Sequence, residues 1–128
     1  MRKPFFFALL LTMCGWAAPT DKQVLELYQR WNTALAGASD FNGVTPLMSK
    51  ASIQEVAKLD VKQQQAMFGM MKAMVMMGGA HTWSVEGHRR EKGFLLYKLV
   101  HKEKNTSGSA EFPVAEEDGQ LKVDFRKK

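Results

Sequence analysis

In the first half of the chain, apolar residues recur every three or four positions, which is the spacing of one face of an α-helix. From residue 20 to residue 37 this face comprises Val24, Leu27, Tyr28, Trp31 and Leu35. Thr20 and Gln23 have the spacing of a capping box, in which each side chain accepts a bond from the other residue's backbone N–H. Because glycine commonly ends helices, the pattern predicts an amphipathic helix that stops at Gly37.

Two further helices are predicted before residue 80. Ser52 and Glu55 have capping-box spacing and are expected to open a short helix. Asp60 is expected to cap a longer helix, which ends at residues 78–79, where two glycines follow one another. We call this longer element the methionine helix, because six of the chain's nine methionines fall between positions 67 and 77.

From His81 onward the pattern changes to alternation of polar and apolar residues, which is typical of β-strands. It predicts four strands, at residues 82–86, 94–100, 110–115 and 121–125. Consecutive strands with short connections pair in chain order, so an antiparallel meander is expected. On the last strand, Lys122, Asp124 and Arg126 are expected on the exposed face. The predicted fold class is therefore α+β, with the N-terminal helices packed on a curved four-stranded sheet.

Residues 1–18 have the composition of a secretory signal, and residues 19–128 are expected to form one domain. Arg2 and Lys3 precede a short apolar run, which is shorter than the roughly 20 residues that span a bilayer, and small residues follow it. We expect cleavage after residue 17 or 18 and export to the periplasm or the medium. Cys14 supports an alternative, acylation as in bacterial lipoproteins. By either route, the mature domain has no cysteine for a disulfide or a metal.

The charge of the chain argues against a nucleic-acid partner. The formal net charge is +5, and it falls to +3 without Arg2 and Lys3. The richest basic run, at residues 88–92, is interrupted by Glu91. We therefore expect no nucleic acid among the partners, and a membrane only if Cys14 is acylated.

The order of the predicted elements and the sequences at their ends carry a family resemblance. The first predicted helix ends in a small-residue turn at 34–40. It is followed by a Leu-Met-Ser segment at 47–49 and by two more helices, and the last strand begins in the sequence Asp-Gly-Gln-Leu-Lys-Val at 118–123. Over residues 20–126 this resembles the nuclear transport factor two-like superfamily, and in particular its small exported bacterial members of unassigned activity. Leu121 stands where many members have tryptophan. The resemblance implies a cone with an apolar pocket, in a superfamily that includes ketosteroid isomerases, polyketide cyclases and binding modules, so it does not decide function.

The methionines are predicted to form the core face of their helix. At 100° per residue, one stripe contains Gln63, Met67, Met70, Met71, Met74 and Met77. Met76 is predicted on the opposite side. Methionine suits a concave sheet because its unbranched side chain fills irregular gaps. Two alternatives remain open: a groove for varied apolar ligands or a partner helix, and a Cu(I) site, since soft thioether ligands select that ion.

Few residues are candidates for acid–base chemistry. Asp60 is interpreted as a helix cap, and His81 as an exposed histidine at the start of a strand. Tyr97 and His101 share one face of the second strand, where Tyr97 is interpreted as a core residue with its hydroxyl at the rim of a pocket. The sequence contains no Ser/His/Asp arrangement and no glycine-rich phosphate loop after a strand. We expect no catalytic residues, no metal ligands and no cofactor.

These observations favour an exported binding or assembly module that takes an apolar small molecule or another protein. The pocket candidates are Tyr28, Trp31, Met67, Met70, Met71, Met74 and Tyr97. A lyase or isomerase that uses the same pocket is the alternative from another class, and a periplasmic Cu(I)-binding protein is a third. The polar outer face of the predicted sheet suits a monomer, while the resemblance also implies homodimers.

Overall fold

A computed structural model of the chain describes residues 19–78 and 81–126. Within these residues, three α-helices precede one antiparallel sheet: α1 is Asp21–Gly37, α2 is Lys50–Ala57, and α3, the methionine helix, is Val61–Gly78. Two short 3₁₀ turns, Phe41–Gly43 and Thr45–Leu47, connect α1 to α2. The strands are β1 (Ser84–Glu91), β2 (Phe94–Lys102), β3 (Ser107–Glu117) and β4 (Gln120–Val123). The predicted signal segment lies outside the described residues.

Polar caps fix where each helix begins. At α1 the predicted capping box is confirmed, since Thr20 and Gln23 bond each other's backbone N–H at 2.9 and 3.2 Å. The predicted Ser52–Glu55 box is wrong, because α2 begins three residues earlier. Its cap is Ser49, whose hydroxyl accepts from the Ser52 N–H at 3.1 Å.

The cap of the methionine helix is confirmed. The Asp60 carboxylate accepts from the Gln63 N–H at 2.8 Å, and the Gln63 side chain accepts from the Asp60 N–H at 3.1 Å. Two of the orphan N–H groups at this helix start are therefore satisfied reciprocally.

The sheet is a meander in the order β1-β2-β3-β4, as the alternation predicted. The β3–β4 turn is tight because Asp118 and Gly119 both take positive φ angles, 53° and 78°, which an Asp-Gly pair tolerates in a two-residue hairpin. In the first hairpin, the register shifts by one residue between Val85 and Gly87. This bulge determines which residues of β1 face those of β2 beyond it.

The helices cover one face of the sheet, which confirms the α+β class. From α1 the buried residues are Val24, Leu27, Trp31 and Leu35, and from the sheet they are Tyr97, Leu99, Phe112, Val114 and Val123. The opposite face carries ion pairs, such as Glu86–Lys98 at 2.8 Å. It also carries a small apolar cluster of Phe94, Leu96 and Ala115, which was not predicted, and the Arg126 guanidinium lies 5.9 Å from the centre of the Phe94 ring.

The predicted core stripe of the methionine helix is wrong in its phase. Met70 and Met74 are 68% and 70% exposed, as much as Met76 at 66%. The described positions of this helix that are at least partly buried are 64, 67, 68, 71, 72 and 75, and Phe68 is the one that is fully buried. Phe68 packs edge-on against Phe41 with ring centroids 5.1 Å apart. Burying the large aromatic ring of Phe68 stabilises the fold by removing its apolar surface from water. With Phe68 facing the core, Met70 and Met74 face solvent.

Asp124 is also misplaced by the sequence prediction, because it is fully buried rather than exposed. The described strand β4 ends at Val123, so the alternation does not continue through residue 124. The Asp124 carboxylate accepts from the Arg126 guanidinium at 2.9 and 2.5 Å. Burial raises the pKa of Asp124, but hydrogen bonds from Arg126 and Ser49 lower it by more than burial raises it. The resulting pKa therefore lies below the usual range of an aspartate. The buried group is therefore a paired carboxylate that joins the end of β4 to the start of α2.

Candidate functional site

A cavity of about 380 Å³ lies between α1, the methionine helix and the sheet, and it is partly open to solvent. Its walls are largely apolar and aromatic. They comprise Tyr28, Trp31, Asn32 and Leu35 of α1, Met71, Met74 and Val75 of the methionine helix, His81 and Trp83 before β1, His101 of β2, residues 109–113 of β3, and Val123 and Phe125 at the end of the sheet. The cavity therefore has an apolar body with a small number of polar groups.

Aromatic side chains form one wall of this cavity. The Tyr28 ring lies edge-on to Trp83 and to Phe112, with centroid separations of 5.4 and 4.8 Å. Burial raises the pKa of Tyr28, while a side-chain hydrogen bond with Asn32 lowers it by less. The phenol therefore stays neutral at physiological pH and presents a rigid, amphipathic surface to the cavity.

The structure brings four of the seven predicted pocket residues to this cavity. Tyr28, Trp31, Met71 and Met74 line it. Met67 and Met71 pack against the apolar core, whereas Met70 and Met74 lie largely in solvent. These four methionines are neighbours on the helix, and their thioethers would be the ligands in the Cu(I) alternative, but they do not share one face.

Tyr97 does not line the cavity. Its side chain is 1% exposed, its hydroxyl donates to the Pro19 carbonyl at 3.3 Å, and its ring stacks on His88 at 4.8 Å. Burial, and to a lesser extent the charge of Asp21, raise the pKa of Tyr97. The residue is a core tyrosine that ties the start of the described chain to the sheet.

A polar cluster of His81, His101 and Glu103 lies at one end of the cavity, although Glu103 itself is not among the lining residues. The Nδ1 atom of His81 is 3.2 Å from Oε1 of Glu103, and the Nδ1 atom of His101 is 2.5 Å from Oε2. The two imidazole rings are stacked, with centroids 3.8 Å apart and planes 11° from parallel. One carboxylate therefore joins two imidazoles from different parts of the chain.

Packing holds this cluster in place. Trp83 lies edge-on to both imidazoles, at 4.6 Å from His101 and 6.0 Å from His81. His101 is buried against β3, where Gly108 leaves room for its ring: a Cβ at that position would lie 2.6 Å from Nε2 of His101. The absence of a side chain at residue 108 thus permits the close approach of the imidazole to the neighbouring strand.

The carboxylate is the acceptor of the cluster. The pKa of Glu103 is lowered chiefly by the hydrogen bond from His101, with smaller contributions from the Thr82 backbone and the two histidines, and partial desolvation opposes them. An ionised carboxylate only accepts hydrogen bonds, so each Nδ1 atom carries the hydrogen in this arrangement. The three side chains offer nitrogen and oxygen atoms of the kind that bind transition metals.

Sequence reasoning considered His81 and His101 one at a time and did not single out Glu103. It predicted no metal-ligand set, whereas the structure brings three candidate ligand atoms within 4.8 Å of one another. The register of the first hairpin, which includes the bulge between Val85 and Gly87, brings them together. Continuing the Ser84–Val100 pairing three residues outward places His81 opposite Glu103.

Comparison of the chain with protein-family models, with curated proteins and with solved structures gave no match. The resemblance to the nuclear transport factor two-like superfamily therefore stays a prediction. Across the residues that the structure describes, no helix is long and apolar enough to cross a membrane.

Proposed function

We propose that the protein is an exported binding module that holds an apolar small molecule in the cavity between α1, the methionine helix and the sheet. The observation that supports this most is the cavity itself, whose volume of about 380 Å³ and mainly apolar lining match small-molecule sites, which range from about 300 to 1,000 Å³. The imidazoles of His81 and His101 supply polar groups at one end, which would orient a ligand with a single polar group.

The methionine helix gives this cavity an adaptable wall. Met71 is half-buried at the cavity, and Met74 reaches its edge from the exposed side of the helix. Both side chains have several rotatable bonds and a polarizable sulfur, so they can repack around ligands of different shape. A wall of this kind favours binding of several different apolar ligands rather than selection of a single ligand.

Export is part of the proposal and rests on residues 1–18. The intact mass of the protein purified from a secreting bacterial host should correspond to a chain that begins at residue 18 or 19. If Cys14 were the acylated first residue, the mass would include lipid, and Cys14→Ala would release the protein from the membrane fraction. A full-length chain retained in the cytoplasm would contradict export.

The binding proposal is tested with the neutral fluorescent probe N-phenyl-1-naphthylamine. We expect a saturable rise in its fluorescence with one site per chain. Met71→Trp should abolish or strongly weaken the signal, because the larger side chain fills the cavity. Met70→Trp is the matched control, one residue away and 68% exposed, and should bind like the wild type. No saturable binding by the wild type, or equal loss in both variants, would contradict a ligand site in this cavity.

A further inference from the structure

The His81–His101–Glu103 cluster has a composition that an apolar ligand does not require. Two imidazole nitrogens and a carboxylate oxygen meet at one end of the cavity, and each comes from a different place: the segment before β1, the end of β2, and the loop that follows it. From this arrangement we infer that His81, His101 and Glu103 bind a divalent first-row transition metal ion, with Zn²⁺ the ion that fits the set best.

The identity of the ligand atoms points to zinc rather than to magnesium or calcium. Zn²⁺ accepts histidine nitrogen and carboxylate oxygen at about 2.0 to 2.2 Å, and two histidines with one glutamate form a known type of zinc set that leaves a fourth position open. Mg²⁺ and Ca²⁺ prefer sets made of oxygen atoms alone. The three side chains of this cluster supply nitrogen and oxygen atoms, whereas Cu(I) is selected by soft sulfur ligands.

The ligand atoms are already close to the spacing of a tetrahedral site. In a tetrahedral site with bonds of about 2.05 Å, ligand atoms are about 3.3 Å apart. The separation between His81 Nδ1 and Glu103 is 3.2 Å, and that between His101 Nδ1 and Glu103 is 2.5 Å. Since all three ligand atoms lie within 4.8 Å of one another, shifts on the order of 1 Å bring them to one ion.

The histidine that must turn is His81. The lone pair of an imidazole nitrogen lies in the plane of its ring, and these two planes are nearly parallel and offset, so one ring has to rotate before both nitrogens point at the same ion. His101 is buried between Trp83 and the strand at Gly108, whereas His81 is only partly buried and precedes β1. On binding, each Nδ1 gives up its hydrogen, and the neutral imidazole carries it on Nε2 instead. His101 and Glu103 thus form the fixed part of the site, and His81 completes it.

The test is titration calorimetry of the mature chain, without a histidine tag, using Zn²⁺ alone. We expect one site per chain. His81→Ala and Glu103→Gln should each weaken binding at least tenfold, because each removes one of three ligands. His88→Ala is the control, since His88 stacks on Tyr97 and is not among the ligand atoms of the cluster. Both test positions are at least partly exposed, and circular dichroism confirms that the variants are folded.

A spectroscopic measurement separates a built site from surface binding. Co²⁺ in a four-coordinate nitrogen and oxygen site absorbs visible light far more strongly than the hydrated ion. We expect such a band in the wild type and in His88→Ala, and its loss in Glu103→Gln. No saturable Zn²⁺ binding by the wild type, or an equal loss in His88→Ala, would overturn the inference. Neither experiment contains an apolar ligand, so its outcome is independent of the proposed cavity function.

Discussion

Phe68 is predicted to be the side chain that fixes the methionine helix to the rest of the fold. It is 4% exposed and packs edge-on against Phe41, which belongs to the turn after α1. Phe68→Ala removes the ring and leaves a cavity that the helix backbone cannot fill. Replacing a buried phenylalanine by alanine costs about 3 to 5 kcal/mol, which includes lost transfer free energy and the cavity.

The matched control is Met70→Ala, two positions along the same helix. Replacing a fully buried methionine by alanine costs about 2 to 5 kcal/mol of stability, but Met70 is already 68% exposed. Only about a third of that loss remains, and the better helix propensity of alanine offsets a few tenths of it. We therefore expect a cost of about 0.5 to 1.5 kcal/mol, similar to that of Met76→Ala.

The assay is urea unfolding of the purified mature chain, followed by circular dichroism. Domains of this size are stable by about 5 to 15 kcal/mol, so Phe68→Ala should lose a large part of its free energy of unfolding while Met70→Ala keeps nearly all of it. Equal costs at the two positions, or a larger cost at Met70, would refute the assignment of the inward face.

Two further predictions concern buried polar groups and a strand glycine. The pKa of Asp124 is lowered in the folded protein, so its ionised form stabilises the fold above the unfolded pKa of about 3.9, and that stability is lost as the pH falls through the folded value. Asp124→Asn should therefore be less stable than the wild type at neutral pH, and it should lose less stability on acidification below about pH 4. Urea unfolding at several pH values measures both effects. A parallel pH dependence in both proteins would contradict this. Gly108→Ala should cost about 1 to 3 kcal/mol of stability and weaken Zn²⁺ binding, because its Cβ would lie 2.6 Å from His101 Nε2. Gly87→Ala, which has open space around it, is the control and should be nearly neutral in the same unfolding and titration measurements. Equal effects of the two substitutions would show that Gly108 does not hold His101 in place.

The order and type of the elements could be predicted from the sequence because each has a local signal. The period of the apolar residues separates helices from strands, and the reciprocal caps at Thr20 and Asp60 use residues within one turn. The α2 cap was missed because Ser49 and Ser52 both have suitable side chains. The Ser49 N–H donates to the Val123 carbonyl at 2.9 Å, and the Ser52 hydroxyl donates to the same carbonyl at 3.3 Å, so contacts between distant parts of the chain hold both serines in place.

The inward face of the methionine helix could not be read from periodicity. Its apolar residues surround the helix, so several stripes contain methionine and none is marked by a polar side opposite. The deciding contact is that of Phe68 with Phe41, which is set by tertiary packing. An aromatic residue among methionines was the only local indication of the correct phase.

The candidate metal cluster depends on a register that alternation does not determine. Counting outward from the turn after Glu91 would place His81 opposite residue 104, one position beyond Glu103. The bulge between Val85 and Gly87 corrects this by one residue and brings the carboxylate to the imidazole. A bulge arises from twist and packing in the folded sheet, so this pairing requires the structure.

The most direct test of the central claim, that the cavity binds an apolar ligand, uses the methionines as reporters. Methyl NMR spectra of protein labelled with ¹³C at the methionine methyl groups are recorded during titration with N-phenyl-1-naphthylamine. We predict saturable shifts at Met71 and Met74, which line the cavity, and little change at Met70 and Met76, which lie in solvent. Shifts at Met70 and Met76 with Met71 unchanged, or no saturable shift at all, would contradict the claim.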